Sequence, residues 1–296
     1  MMMKNITTIL LLLIVISILF IAGCTQQLSG QQTPQPTPQP TTVKPGDTVK
    51  TANNSLGTIL VDSQGKTLYY FANDIPASGA SSCYGQCAVV WPVFSTGTVT
   101  VSSPLDPADF GTITRTDGTK QTTYFGWPLY YYQADTKTGD TNGENVLDTW
   151  FVIKPDESVL IAHNTNLGFY LTDTSGKTLY FFTKDTPGAS TCTGTCLSLW
   201  PAFNADPVTG PSVLNPSDFT SVTRFDGVKQ TAYKGRPLYF YSGDAKPGDA
   251  KGHGFNNVWY VATTTGTTPV VTTQPTTVQT TIRTTSPSSG GYGGGY

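Results

Sequence analysis

The hydrophobic and polar positions between the two Pro- and Thr-rich ends of the chain follow the patterns of short β-strands. Four large apolar residues follow one another in Leu68–Phe71. Since side chains two positions apart share a face of a strand, both faces of this strand are apolar, and we expect it to be covered on both sides. Ile113–Thr116 and Lys120–Tyr124 flank Asp117-Gly118, a strong signal for a hairpin turn.

An internal repeat divides this part of the chain into two copies. Shifting the sequence by about 109 to 111 residues superposes Gly65–Phe71 on Gly176–Phe182. The same shift superposes Cys83, Cys87, Trp91 and Pro92 on Cys192, Cys196, Trp200 and Pro201. The predicted organisation is a lipoprotein signal peptide (1–23), a Pro/Gln/Thr-rich linker (24–46), two repeat domains (47–154 and 157–262) and a disordered Thr/Pro/Gly-rich tail (263–296). Each repeat domain is long enough for a modest core of its own.

The remaining elements of each copy follow from the same pattern. Further strands of the first copy are expected at Gly57–Asp62, Lys66–Phe71, Leu129–Tyr132 and Trp150–Ile153. One helical turn is expected around Cys83–Val90, ended by Trp91-Pro92 because the residue before proline disfavours helix. The predicted fold class is therefore all-β, a tandem pair of small β-sandwich or barrel-like domains. Each domain should have seven or eight short strands, an internal pseudo-twofold repeat and one short helical turn.

A shorter element, Tyr-x-aromatic-x-x-Asp, occurs four times. Its copies are Tyr69/Phe71/Asp74, Tyr130/Tyr132/Asp135, Tyr180/Phe182/Asp185 and Tyr239/Tyr241/Asp244. Together with the two Cys-x-x-x-Cys…Trp-Pro segments, these motifs resemble the secreted-repeat family of unknown function, predicted lipoproteins with a Y-x-[FWY]-x-x-D motif. The resemblance implies an exported, usually lipid-anchored protein, and it implies no agreed biochemical activity.

The motif aspartates are expected to serve the scaffold. Each one lies where a strand runs into a turn that contains proline or glycine. A carboxylate at such a place can accept backbone N–H groups in an Asx-type turn. Because the position recurs four times in one chain, a structural role is favoured over a single active site, and a role in binding is the alternative.

The N-terminus has the pattern of an export signal. Lys4 precedes an apolar run from Ile9 to Ala22, which is shorter than the roughly 20 residues of a membrane span. The run ends in Ile21-Ala22-Gly23-Cys24, which resembles the lipobox of prokaryotic lipoproteins. We expect lipid on Cys24 and a protein on the extracytoplasmic face of the cell membrane. The alternative is an uncleaved signal anchor with an incidental cysteine.

The other cysteines form two identical pairs, Cys83/Cys87 and Cys192/Cys196. Outside the membrane such pairs are expected to be disulfides, and residues four apart on a helical turn lie within bridging distance. Each bridge would be a local staple that orders the loop before Trp-Pro. A redox-active pair normally has the spacing Cys-x-x-Cys at a helix start. The Cys-x-x-x-Cys spacing of this chain differs from that, so a structural bridge is favoured. An extracytoplasmic redox or electron-transfer accessory that uses the two cysteine pairs is the second hypothesis.

Other site chemistry has less support in the sequence. Neither His163 nor His253 recurs in the other copy, and no Gly-x-Ser-x-Gly motif is present, so no catalytic residue is predicted. An enzyme acting on cell-wall polysaccharide is the third hypothesis, because two Asp residues could converge in the fold. Two loops each contain two carboxylates and a glycine, a composition that calcium sites favour. The weak candidate calcium ligands are Asp135, Asp140, Asp244 and Asp249. Capped turns are favoured there over metal sites.

Composition narrows the function classes further. Only 12% of the residues are charged and the formal net charge is −2, so neither a nucleic-acid surface nor a cation store is indicated. No cofactor is expected. The expected partners are the membrane, through lipid on Cys24, and a cell-envelope polymer or another surface protein. The sequence thus predicts a non-catalytic, membrane-anchored surface module that is structural or binds a ligand.

Overall fold

The structure, a computed structural model, describes residues 48–266. The predicted signal peptide, the predicted linker with Cys24, and the tail beyond residue 266 lie outside the described residues.

The described chain is built from short strands and a few single helical turns. The first copy contains β1 (Thr48–Asn54), β2 (Gly57–Val61), β3 (Tyr69–Phe71), α1 (Gln86–Val90), β4 (Thr100–Val101), a 3₁₀ turn (Pro107–Asp109), β5 (Phe110–Thr114), β6 (Lys120–Tyr124), β7 (Trp127–Pro128) and β8 (Trp150–Val152). The second copy contains β9 (Leu160–Asn164), β10 (Gly168–Thr172), β11 (Tyr180–Phe182), α2 (Thr195–Leu199), a 3₁₀ turn (Pro216–Asp218), β12 (Phe219–Thr223), β13 (Lys229–Tyr233), β14 (Arg236–Tyr239), a 3₁₀ turn (Phe255–Asn257) and β15 (Trp259–Val261). The all-β prediction is confirmed, and the described strands form several small sheets and no closed barrel.

Both copies share one sheet arrangement. In the second copy a single sheet has the order β12-β13-β14-β11-β15. In the first copy the equivalent strands form two smaller sheets, β5-β6-β7 and β3-β8. An antiparallel bridge between Tyr69 and Tyr130 joins these two sheets. The strand expected at Leu129–Tyr132 is reduced to this bridge and another between Tyr130 and Val93. A separate antiparallel hairpin, β1–β2 or β9–β10, completes each copy.

Local turn chemistry decides where the strands begin. The strand predicted at Lys66–Phe71 begins only at Tyr69. The carboxylate of Asp62 accepts the main-chain N–H of Lys66 at 2.8 Å, which holds the chain in a tight turn before the strand. The hairpin predicted around Asp117-Gly118 is confirmed by the antiparallel pairing of β5 with β6, and α1 confirms the helical turn.

One cluster of buried apolar residues extends across both copies. The Trp127 indole N–H donates to the carbonyl of Thr174 at 3.0 Å. The main-chain N–H of Ile161 donates to the Tyr70 hydroxyl at 3.2 Å. The two copies are therefore in direct contact through apolar and hydrogen-bonded surface. The division into domains 47–154 and 157–262 stays a prediction.

A buried carboxyl group lies where the first copy joins the second. Glu157 is 7% exposed, and its Oε1 lies 3.5 Å from the Lys154 ammonium without a hydrogen bond from any described residue. Its Oε2 accepts the main-chain N–H of Lys154 at 3.3 Å. Burial raises the pKa of Glu157 to about 8, although the Lys154 ammonium opposes this rise. The neutral acid is therefore the stable form in the folded protein near neutral pH.

We predict that Glu157→Gln removes part of the pH dependence of stability. The folded protein keeps this proton up to a pKa of about 8, whereas the unfolded chain loses it near 4.5. The free energy of unfolding should therefore fall as pH rises through this window, by up to about 1.4 kcal/mol per pH unit. Urea unfolding across the window should show the slope in the wild type and in Asp156→Asn, an exposed neighbour, and a shallower slope in Glu157→Gln. Equal slopes in all three proteins would contradict this account of Glu157.

Candidate functional site

The tyrosine of each motif bonds to the aspartate of the other motif in the same copy. Tyr69 Oη donates to Asp135 Oδ2, and Tyr130 Oη donates to Asp74 Oδ2, both at 2.6 Å. In the second copy, Tyr180 donates to Asp244 and Tyr239 to Asp185, again at 2.6 Å. Tyr69 and Tyr130 also exchange both main-chain hydrogen bonds, at 2.9 and 3.0 Å. The internal twofold repeat is thus a physical pairing of two motifs.

The second carboxylate oxygen of each motif aspartate closes a loop. Asp74 Oδ1 accepts the main-chain N–H and the hydroxyl of Ser82, both at 2.6 Å. The corresponding main-chain donors for Asp185, Asp135 and Asp244 are Thr191, Asn142 and Lys251. The sequence led us to expect a local Asx-type turn, but the donor lies six to eight residues ahead. The carboxylate therefore ties the end of a strand to the far side of a loop.

The second aromatic residue of each motif ends a stack of four rings. In the first copy the order is Phe71, Trp150, Trp91 and Tyr132, with centroid separations of 4.1, 3.8 and 4.3 Å. In the second copy the order is Phe182, Trp259, Trp200 and Tyr241, with separations of 4.2, 3.8 and 4.4 Å. The tryptophans are buried and the end rings are half-buried. Each aromatic pair adds about 0.5–1.5 kcal/mol beyond its burial, so the stack contributes strongly to each small core.

Glycine is required beside each stack. A Cβ on Gly143 would lie 2.8 Å from the Trp91 ring, and a Cβ on Gly252 would lie 2.7 Å from the Trp200 ring. The N–H of Gly143 also donates to the Tyr69 hydroxyl at 3.3 Å. A side chain at this position would push apart the stack and the tyrosine that bonds to Asp135.

A buried arginine extends the Tyr–Asp pair into a hydrogen-bond network that was not predicted from the sequence. Arg115 is 3% exposed and donates to Ser81 Oγ at 2.8 Å, to Gln121 Oε1 at 2.7 Å and to the carbonyl of Cys83. Ser81 Oγ lies 2.6 Å from Tyr130 Oη. The same contacts in the second copy involve Arg224, Ser190, Gln230, Cys192 and Tyr239. Arg and Gln recur at these positions in the sequence, yet arginine is mostly a surface residue, so their burial could not be predicted from the repeat alone.

Both predicted disulfides are present. Cys83–Cys87 and Cys192–Cys196 have Cα–Cα distances of 5.3 and 5.4 Å. In the first copy the carbonyl of Cys83 accepts from Arg115, and the carbonyl of Cys87 accepts the N–H of Trp91 at 2.8 Å. The bridge therefore fixes the loop that holds both the arginine and a stacked tryptophan.

The loops with the calcium candidates are turns capped by their own carboxylates. Asp140 Oδ2 accepts two main-chain N–H groups of its turn at 2.9 and 3.0 Å, and Asp249 Oδ2 does so at 3.0 and 3.4 Å. Asp135 and Asp244 each direct one oxygen at a motif tyrosine and the other at a main-chain N–H of the loop that follows. Within residues 48–266 no group of three or more His, Cys, Asp or Glu side chains is arranged to hold a metal ion.

The two histidines lie in different elements. His253 Nδ1 accepts the N–H of Val261 at 3.4 Å. At the equivalent place in the first copy, Glu144 Oε2 accepts the N–H of Val152 at 2.6 Å. His163 lies in the hairpin strand β9. His253 therefore has a structural counterpart in Glu144, which makes the same contact in the first copy.

Burial sets the charge state of the Tyr–Asp pairs. Burial raises the pKa of Asp74, while hydrogen bonds from Ser82 and Tyr130 lower it, and the net shift is upward. The pKa values of Asp135, Asp185 and Asp244 are raised for the same reason. Burial and the neighbouring carboxylate also raise the pKa values of Tyr69, Tyr130, Tyr180 and Tyr239. The tyrosines therefore keep their protons and act as donors.

Comparison with known proteins gives one match. A family model described as a secreted repeat of unknown function matches residues 50–95, 111–154, 162–204 and 220–263, more than half of the chain. Each matched segment contains one Tyr-x-aromatic-x-x-Asp motif. No curated protein and no solved structure matches the chain. Neither helix within residues 48–266 has the length and apolar character of a membrane span.

We predict that Asp74→Ala lowers stability, because it leaves the buried donors of Tyr130 and Ser82 unpaired. The expected cost is about 1–3 kcal/mol. For a folded unit of 150–250 residues this corresponds to a fall in Tm of roughly 2–4 °C per kcal/mol. Asp185→Ala should behave alike, and Asp156→Ala, which removes an exposed carboxylate, should leave Tm unchanged. Thermal melts followed by near-ultraviolet circular dichroism measure this, and wild-type stability of Asp74→Ala would show that the motif aspartate is no scaffold residue.

Proposed function

We propose that this chain, which belongs to the family of secreted repeats of unknown function, is a non-catalytic surface module held at the membrane by lipid on Cys24. Its role is to present a rigid tandem scaffold to a cell-envelope polymer or another surface protein. The observation that carries the proposal is the internal use of all four motif carboxylates, whose two oxygens each accept hydrogen bonds from the same copy.

The geometry of the motif argues against catalysis by its aspartates. A general acid or base must reach a proton on the substrate. Asp74 and Asp185 are 3% and 4% exposed, and each already bonds to a tyrosine hydroxyl and a loop N–H. Asp135 and Asp244 are half-buried and bonded in the same way. Four such positions support a repeated structural element, because a single reaction centre needs no repetition.

The sequence before the folded part supports display outside the membrane. The family is described as a secreted repeat, which supports an extracellular or surface location, and Cys24 ends a short apolar run after Lys4. In the sequence, the Pro/Gln/Thr-rich segment 24–46 separates the candidate lipid site at Cys24 from the first repeat domain.

Exposed apolar residues on one hairpin of the second copy support the binding of a partner molecule. The hairpin between β12 and β13 exposes Phe225 and Val228, which are 74% and 55% exposed. The equivalent positions of the first copy are Thr116 and Thr119. Since the first copy folds with threonine at both positions, the apolar residues of the second copy are not needed by the hairpin itself. They favour a contact with another molecule.

We predict that wild-type protein begins at Cys24, carries lipid there and fractionates with the membrane. The reason is that an acylated cysteine anchors an exported protein that has lost its signal peptide. Cys24→Ser should lack the lipid-modified N-terminal peptide and the cut before residue 24, whereas Thr25→Ser should resemble wild type. Membrane fractionation and mass spectrometry of the N-terminal peptide measure both properties. Unchanged processing and membrane retention in Cys24→Ser would mean that another segment anchors the chain.

A further inference from the structure

The two copies differ at one position next to the ring stack. In the first copy Tyr131 is buried, its hydroxyl donates to Asp62 Oδ2 at 2.8 Å, and the Lys66 ammonium lies 5.8 Å from the centre of its ring. In the second copy the equivalent residue is Phe240, which is half-buried. The hydroxyl that bonds to the carboxylate in the first copy is therefore missing in the second.

A cleft of about 320 Å³ lies at this place in the second copy. Its walls include Lys177, Pro201, Phe240, Tyr241, Ser242 and Asp244. The volume falls in the range of sites for small ligands, which combine apolar walls with a few convergent polar groups. Here two aromatic residues supply the apolar wall, and an ammonium, a hydroxyl and a carboxylate supply the polar groups.

The polar groups around the cleft are left with bonding capacity. Within residues 48–266 the Lys177 ammonium makes no hydrogen bond and no ion pair, and its side chain is exposed. Asp173 is the counterpart of Asp62 and is half-buried, whereas Asp62 is 2% exposed. Asp173 Oδ1 accepts the N–H of Lys177 at 2.8 Å, and Oδ2 lacks the tyrosine donor that Asp62 has. The cleft thus offers both donors and acceptors.

The aromatic wall is held rigid. Tyr241 ends the ring stack of the second copy and lies 4.4 Å from the Trp200 ring centre, while Phe240 meets Phe203 edge-on at 5.6 Å. A wall that is ordered before binding loses little conformational entropy when a ligand arrives. The position of Tyr241 at the outer end of the stack leaves one part of its ring open to solvent.

We propose that this cleft binds an uncharged sugar ring of an extracytoplasmic glycan. The C–H face of a sugar packs on aromatic rings such as those of Phe240 and Tyr241, and its hydroxyls both donate and accept hydrogen bonds. They would accept from the Lys177 ammonium and donate to Oδ2 of Asp173, whose Oδ1 holds the main chain of Lys177. One ammonium and two carboxylates give no excess positive charge, so an acidic sugar is disfavoured. The inference rests on the proposed function and narrows its partner, a cell-envelope polymer or another surface protein, to a glycan.

Isothermal titration of the full chain in detergent tests this, with maltotriose, cellotriose and tri-N-acetylchitotriose as probes. At least one probe should bind with one site per chain. Lys177→Met and Phe240→Tyr should each weaken that binding by about tenfold or more. The first variant loses a charge-assisted hydrogen bond to the sugar, and the second fills the space for the sugar ring with a hydroxyl. Lys66→Met, the matched change in the first copy, should bind as the wild type does, and thermal melts should show all three variants folded.

Three results would overturn the inference: no heat of binding with any probe, wild-type affinity in Phe240→Tyr, or equal losses in Lys66→Met and Lys177→Met. These failures are distinct from a failure of the proposed function. If no probe binds while wild-type protein still carries lipid on Cys24, only the sugar site is wrong. If the lipid is absent, the anchor is wrong whether or not a sugar binds.

Discussion

The hydrogen bond from a motif tyrosine to the aspartate of the opposite motif is the interaction on which each copy depends. Tyr130 reaches Asp74 across the antiparallel pair of strands, and Tyr69 reaches Asp135 in the reverse direction. Each aspartate also holds the loop that follows its own strand. A buried carboxylate without these donors would be costly, so strand pairing and loop closure are stabilised together.

The disulfide loop, the buried arginine and the ring stack of each copy all contact the paired motif tyrosines, directly or through one residue. The disulfide loop holds the carbonyl of Cys83 for Arg115, which bonds to Ser81 and thereby to Tyr130. The ring stack packs against the motif tyrosines, since Tyr69 meets Trp91 edge-on at 5.4 Å. Small cores of this kind need such dense polar and aromatic contacts because little apolar surface is buried in a short domain. The motif residues therefore have a structural role, and we expect the residues that bind a ligand at positions where the two copies differ.

The sequence predicted the fold class, the repeat and both disulfides because these depend on local spacing. It also predicted that the two motif aromatics share a face, which the common contacts of Tyr69 and Phe71 with the tryptophans confirm. The Tyr–Asp crossing could not be predicted, since its partners lie 56 and 66 residues apart. The change from Tyr131 to Phe240 was visible in the repeat, but only the packing shows that it accompanies a cleft.

A double-mutant cycle in the second copy tests the central claim most directly. Tyr239→Phe, Asp185→Ala and their combination are compared by urea unfolding with the cycle of Tyr180→Phe and Asp185→Ala. The account predicts a coupling free energy of about 0.5–3 kcal/mol for Tyr239 with Asp185, which are in contact. It predicts a clearly smaller coupling for Tyr180 with Asp185, which belong to one motif but bond to different partners. Equal coupling in both cycles, or none in the first, would contradict the crossed pairing.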